Sequence, residues 1–151
     1  MSTYGYCRTS TAKQSIDRQI RNIKAEYPTA HIVQEAYTGT SIFRPEWLKL
    51  YRILKSGDTV VFDSVSRMSR NAEEGFALYE DLYHKGIRLV FLKEHHIDTE
   101  TYKKALSGSI AMTGTNVDFI LKGINEYLMA LAKEQIKLAF EQSEKEVADL
   151  H

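Results

Sequence analysis

The chain has 151 residues, a mass of 17.3 kDa and 20 basic against 20 acidic side chains, with 43% of residues apolar and 26% charged. Those proportions, with only 2 prolines and 8 glycines, exclude a disordered, collagenous or low-complexity chain and suit one domain with a sizeable core. A net charge of zero argues against strong sequence-blind DNA binding by this chain alone. No apolar run approaches the roughly 20 residues of a membrane span. Met1 to Tyr6 lacks a secretory leader, and the lone Cys7 makes neither a disulfide nor a Cys-rich zinc site. A cytoplasmic protein without membrane contact is expected.

Residues 3–8, rich in aromatic side chains and ending at a Thr/Ser cluster, predict a first strand. Ile16, Ile20 and Ile23 recur at steps of four and three, which predicts a helix over residues 14–27, stopped by Pro28. Residues 31–37 predict a second strand running into the polar loop Thr38-Gly39-Thr40-Ser41. Pro45 suits a first helical turn, so a second helix is expected there with Trp47, Leu48, Tyr51 and Leu54 inward. A turn at Gly57-Asp58 leads to a strand over 59–63, a helix over 71–85 closed by Gly86, and a strand over 87–92. Apolar strands alternating with helices predict an α/β fold in three layers, a mostly parallel sheet with helices on both faces.

Residues 99–115 are rich in Ser, Thr and Gly and poor in core candidates, and are expected to form a mobile connection. Beyond Val117 there is no proline and one glycine, Gly123, while Ile120, Ile124, Tyr127, Leu128, Leu131 and Ile136 come close to helical spacing. A single helix over 117–150 would be roughly 50 Å long, against a radius of gyration of about 15 Å for a domain of this size. It would overhang its domain and need a partner; two shorter helices broken near Gly123 are the other reading. The expected division is a catalytic α/β unit, 1–115, and a long oligomerisation helix, 116–151. With no helix-stop signal before His151, the chain is expected to continue into a DNA-binding region.

Charge is segregated along the chain. Residues 1–70 carry a net +5 and residues 71–151 a net −5, and seven of the eight arginines lie in the first half. The planar guanidinium fork suits phosphate. With a strand order of 2-1-3-4 the topology reverses between the first and third strands, and ligands of open parallel sheets bind at that reversal. Arg8, Ser10, Thr11 and Gln14 follow the first strand; Ser64, Ser66, Arg67, Ser69 and Arg70 follow the third. A nucleophile among guanidiniums suits phosphoryl transfer.

Other sites are poorly supported. Neither glycine-rich phosphate loop is present. A phosphatase loop built on Cys7 would need arginine six positions later, where Lys13 stands, so Cys7 is simpler as core. His95, His96 and Asp98 are too few to define a metal site, and none is expected. Taken singly, Ser10 reads as a helix N-cap and Arg67 and Arg70 as surface ion-pair partners.

Together, Tyr6-Cys7-Arg8-Thr9-Ser10-Thr11, Gln14-Ser15-Ile16-Asp17-Arg18-Gln19, Ser41-Ile42-Phe43-Arg44-Pro45 and Ser66-Arg67-Met68-Ser69-Arg70-Asn71 resemble, in order, the motifs of the catalytic domain of serine recombinases of the resolvase/invertase family. The resemblance covers essentially the whole chain, long final helix included, and implies the resolvase-like fold. It implies that Ser10 attacks a phosphodiester of double-stranded DNA, leaving a 5′-phosphoserine link and a free 3′ hydroxyl. Arg8, Arg67 and Arg70 would bind the scissile phosphate with help from Arg44, and Gln14 and Gln19 would support them. Ser66 stands where many members carry Asp. The family uses no metal, ATP or other cofactor, and its dimers assemble to tetramers, here through the C-terminal helix. The long stretch over 95–115 is similar to the large serine recombinase subgroup. Two rivals are a non-catalytic regulatory or assembly module of the same fold, and a flavodoxin-like small-ligand or phosphotransfer domain. Loss of covalent protein–DNA product in Ser10→Ala of the full-length protein, with DNA binding intact, would favour the enzyme over the first, and saturable flavin or phosphodonor binding would favour the second.

Overall fold

Tyr6, Val60, Phe62, Leu89 and Phe91 belong to one apolar cluster, while Cys7, Val61 and Val90 belong to another. That alternation follows from the two-residue period of a strand, which sends neighbouring side chains to opposite faces of a sheet. The computed structural model describes residues 1–9, 13–36, 44–69, 72–107, 130–131 and 133–142. Its strands are β1 (Thr3–Thr9), β2 (His31–Ala36), β3 (Thr59–Phe62) and β4 (Arg88–Phe91). They form one parallel sheet in the order β2-β1-β3-β4, with the reversal between β1 and β3. The predicted order and class hold.

Helix α1 (Lys13–Glu26) covers the Cys7 face through Ile23 and Ile20, joined there by Tyr27. On the other face lie α2 (Pro45–Ile53), α3 (Ala72–His84), α4 (Thr99–Ser107) and the helical residues 133–142, here α5. Phe62 and Phe91 stack at 5.2 Å between ring centres, and Tyr6 meets Trp47 edge-on at 5.1 Å. Burying each such ring contributes about 1.5–3 kcal/mol. Gly86 closes α3 with φ +81°: its N–H donates to the Tyr83 carbonyl and that of Ile87 to Leu82, a paired C-cap that favours glycine.

Several expectations need correction. The strand predicted over 59–63 ends at Phe62, although the Asp63 carbonyl still accepts the Lys93 N–H at 3.1 Å. Leu48 on α2 is 43% exposed rather than inward, since Trp47 and Leu50 fill the buried side. The connection predicted over 99–115 is helical as far as Ser107. Its anchor is tertiary: the Thr99 hydroxyl accepts the Leu89 N–H at 2.9 Å, and Tyr102 packs edge-on against Tyr79 and Tyr83. Residues 108–115, the boundary at 115/116 and Ile120, Ile124, Tyr127 and Leu128 lie outside the described residues.

Nor does the predicted terminal stripe keep to one face. Ile136 is 3% exposed whereas Leu131 is 46% exposed; five residues turn a helix by about 140° past a single face. Phe140, which the stripe omitted, is 1% exposed and joins the larger cluster with Ile136. A Cβ added at Gly75 on α3 would stand 2.6 Å from the Phe140 ring, so glycine there lets α5 approach. Lys133 pairs with Glu80 of α3 at 3.3 Å beside this contact.

Gly75→Ala is therefore expected to destabilise the chain by about 1–3 kcal/mol through overpacking, despite a helix-propensity gain of up to about 1 kcal/mol. In a Phe140→Ala background the same change becomes neutral or stabilising. Urea unfolding of the four proteins checks the cycle; a stabilising Gly75→Ala in the wild-type background would show that α5 does not dock this way.

Candidate active site

The topology reversal puts the end of β1 beside the turn that follows β3. Arg8 is the next-to-last residue of β1, 8% exposed and in register with Glu35 on β2. Beyond β3 the chain forms a short 3-10 turn, Val65–Arg67. Arg8 Nη2 donates to the Ser66 carbonyl at 2.8 Å, and Arg67 Nη1 donates back to the Arg8 carbonyl at 3.2 Å. Arg44, just before α2, donates through Nη1 to the Met68 carbonyl at 2.6 Å. Arg8 and Arg44, from two distant segments, are thus tied to the backbone on either side of Arg67, and Arg67 to that of Arg8.

Gln19 fixes the first of these segments. Its Oε1 accepts the Arg8 N–H at 3.1 Å and its Nε2 donates to the Arg8 carbonyl at 3.0 Å, so a side chain on α1 closes the ladder where β1 is ending. Gln19 is 1% exposed, an amide whose donor and acceptor are both engaged inside the core. The Ser66 hydroxyl lies 2.7 Å from that of Ser64. Arg8, Arg44, Arg67, Gln19 and Ser66 therefore converge on one end of the sheet. Ser10 and Arg70 lie outside the described residues, as does the side chain of Gln14.

Two carboxylates that the sequence reading did not single out stand behind the arginines. Glu35, 2% exposed, accepts the Tyr6 hydroxyl at 3.1 Å and the N–H groups of Trp47 and Glu46 at 3.1 and 3.2 Å, capping the start of α2. Burial and the Glu35 charge push the Tyr6 hydroxyl above its ordinary range, which keeps it a donor; Arg44 opposes that shift. Asp63, also 2% exposed, accepts from Asn22 Nδ2 at 2.9 Å and pairs with Lys93 at 3.3 Å. Burial lowers the proton affinity of Arg67, and the Asp63 charge opposes this. Asp63 is visible in the sequence as a charge just after the apolar run of β3, a signal of a buried acid; Glu35, beside Gln34 in β2, carries no such mark.

Cys7 is fully buried in the opposite face of β1, and burial pushes its thiol up to about 12, so it serves as core rather than as a nucleophile. His95 places Nδ1 2.7 Å from Asp98 and Nε2 3.8 Å from Glu26, joining the turn after β4 to the end of α1. The hydrogen bond to Asp98 raises its proton affinity. Among the described residues no group of three or more His, Cys, Asp or Glu is arranged to hold a metal ion, and no helix is long and apolar enough to cross a membrane.

Residues 3–146 match the family model described as Resolvase, N terminal domain. The chain is 31% identical over 91 residues to the transposon Tn21 resolvase of Escherichia coli, covering 60% of this chain and 47% of that protein. It is 33% identical over 97 residues to a resolvase of Clostridium perfringens, covering 63% and 51%. The chain thus spans about half the length of these curated relatives. Its fold is similar to a serine recombinase from Sulfolobus solfataricus, with TM-score 0.51 and 19% identity over 85% of this chain and 98% of that one. A resolvase family site-specific recombinase from Streptococcus pneumoniae gives TM-score 0.51 and 20% identity over 99% of both chains.

Proposed function

Because the chain belongs to the resolvase N-terminal domain family, we propose that it is the catalytic domain of a site-specific serine recombinase, cutting and rejoining double-stranded DNA. Ser10 Oγ attacks the phosphorus of a backbone phosphodiester. The bond to the 3′ oxygen breaks, a 5′-phosphoserine link forms, and the departing oxygen takes a proton to become a 3′ hydroxyl. The reverse attack by a 3′ hydroxyl from an exchanged partner strand rejoins the backbone. Bond energy is held in the phosphoserine ester, so the cycle needs no ATP.

Arg8 and Arg67, with Arg70 and assistance from Arg44, bind the scissile phosphate and the charge that grows on its oxygens. Guanidiniums held in a partly buried crevice act there more strongly than in water and need little reorganisation. Gln19 holds the backbone of Arg8, and Gln14 supports the same segment. The observation that carries the reading is the pair of hydrogen bonds joining Arg8 to the turn at Ser66 and Arg67, 58 and 59 residues on, at the topology reversal.

Dimers and tetramers would assemble through the C-terminal helix, the unit over 116–151 acting in assembly and the unit over 1–115 in catalysis. In support, Leu131 and Leu138 are 46% and 51% exposed and seven residues apart, on the side of the helix away from Ile136 and Phe140.

The test is a trapped cleavage reaction with the full-length protein and a duplex library containing its own coding locus and flanks. Wild-type protein is expected to yield a covalent adduct at a 5′ DNA end, mapped to Ser10. Ser10→Ala is expected to yield none while retaining DNA affinity. An adduct persisting in Ser10→Ala, or none with wild-type protein, would overturn the reading.

A further inference from the structure

We propose that the outer face of α1, through Arg18 and Arg21 together with Lys93, is a binding surface for the phosphate backbone of the DNA that flanks the scissile bond. DNA as the partner rests on the recombinase reading, which this deepens: the arginines of the site grip one phosphate, and the outer face of α1 holds the duplex beside it.

Helical geometry sets which side chains of α1 reach water. Ile16, Gln19 and Ile23 are 9%, 1% and 0% exposed and mark the side laid on the sheet. Arg18 stands two residues past Ile16, and Arg21 two past Gln19 and two before Ile23. Two residues turn a helix by about 200°. Both arginines are therefore on the side opposite the core, and both are exposed. Three residues apart, they are neighbours on the helix surface, with about 5–6 Å between Cβ atoms, so one DNA strand can meet both.

Hydrogen bonds fix this helix beside the site. Gln19, next to Arg18, holds the N–H and the carbonyl of Arg8. Asn22, next to Arg21, donates to one oxygen of Asp63 at 2.9 Å, and the other oxygen lies 3.3 Å from Lys93 Nζ. Asp63 and Lys93 follow β3 and β4, so α1 is anchored at the end of the sheet that carries Arg8 and Arg67. Burial is the main cause of the lowered proton affinity of Arg67, and the nearby charge of Arg18 adds to it.

The charge on this face is also open to a ligand. Lys49, Lys85, Arg88 and Lys133 each pair with an acid within 3.4 Å. Among the described residues Arg18 and Arg21 have no ion-pair partner, and Asp17, exposed on the same helix, pairs with neither. Lys93 is paired, but its side chain is 59% exposed and an ammonium has three donors. Exposed cations in this setting contact phosphates irrespective of base sequence and release the counterions held there. The guanidinium fork of each arginine matches two phosphate oxygens.

The test compares Arg18→Gln/Arg21→Gln with Arg52→Gln/Lys55→Gln in the full-length protein. The second pair removes the same charge from exposed positions at the other end of the sheet, just before β3. Lys93 stays in place, because it partners the buried Asp63. Affinity for a duplex of random sequence is read by fluorescence anisotropy between about 50 and 200 mM salt. Each lost phosphate contact lowers the slope of log affinity against log salt by about 0.9. The α1 pair is thus expected to lower it by about 1.8, and the control pair to leave it unchanged. An unchanged slope in the α1 pair, or an equal fall in the control pair, overturns the proposal. Location is read separately: Cys7 is buried, so an iron chelate that cuts DNA attaches selectively to the thiol introduced by Arg21→Cys. Cuts beside the phosphate that becomes joined to protein support the proposal, and cuts elsewhere or none overturn it. Absence of any adduct with wild-type protein would instead sink the recombinase reading, and the salt slopes would still judge this face.

Discussion

Replacing Arg67 with alanine is expected to lower the rate of the proposed covalent DNA cleavage by about a thousandfold, the scale of losing an arginine that stabilises phosphoryl-transfer charge, while leaving the chain folded. Arg67 sits in the turn after β3 with its Nη1 on the Arg8 carbonyl and its Nε buried without a partner among the described residues. Truncation removes a buried positive charge together with that orphaned donor. The carboxylate left behind, Asp63, keeps Asn22 and Lys93. Stability therefore changes little, and the loss falls on the reaction. Arg67→Lys is expected to recover only part of the rate, because an ammonium retains charge but not the planar fork that matches two phosphate oxygens. Single-turnover adduct formation with saturating protein isolates the chemical step, and fluorescence anisotropy on the same duplex measures binding. A loss of less than tenfold in Arg67→Ala would remove this guanidinium from the chemistry.

Glu35→Ala is expected to cost about 2–4 kcal/mol of stability. The estimate adds the buried Tyr6 hydroxyl stripped of its acceptor, at about 1–3 kcal/mol, to a lost helix cap worth about 1 kcal/mol. The Tyr6 hydroxyl and the N–H groups of Glu46 and Trp47 all converge on this carboxylate. Its charge also sits at the positive end of α2, where it is favourable. The damage should reach Arg44, which immediately precedes Pro45 and donates to the Met68 carbonyl: fraying the first turn of α2 unseats it. Glu35→Gln keeps one acceptor oxygen and is expected to lose about half as much. Urea unfolding, fitted as a two-state transition, gives the comparison. A cost below about 1 kcal/mol for Glu35→Ala would mean that the Tyr6 hydroxyl and the start of α2 find other acceptors.

The two effects divide the roles of charge at this end of the sheet. Glu35 holds a scaffold together, so its removal is read in stability. In the proposed reading Arg67 binds a phosphate, so its removal is read in rate. The resemblance to the family's motifs implies that Ser10 and Arg70 act with these residues, and trapped cleavage tests that directly.

Much of the architecture was legible in the chain because it follows from short-range periodicity. Ile16, Ile20 and Ile23 mark α1, Pro45 starts α2 and Gly86 ends α3, each through its own backbone preference. The parallel sheet followed from apolar strands alternating with helices, whereas that alternation by itself left the 2-1-3-4 order open. The arginine motifs and their order, which carry the family resemblance, are also properties of sequence alone. Other features depended on partners far along the chain. The helix at Thr99–Ser107 is held by Leu89, Tyr79 and Tyr83, so its own composition read as a loop. Whether Leu131 or Phe140 faces inward was decided by the surface offered at Gly75, which no spacing within α5 encodes. Glu35 and Asp63 gained their roles from donors 29 and 41 residues away. Local patterns determine which elements form, because backbone preference and side-chain period act over a few residues; which charges and which helix faces matter is settled only when packing removes water and brings distant groups into contact.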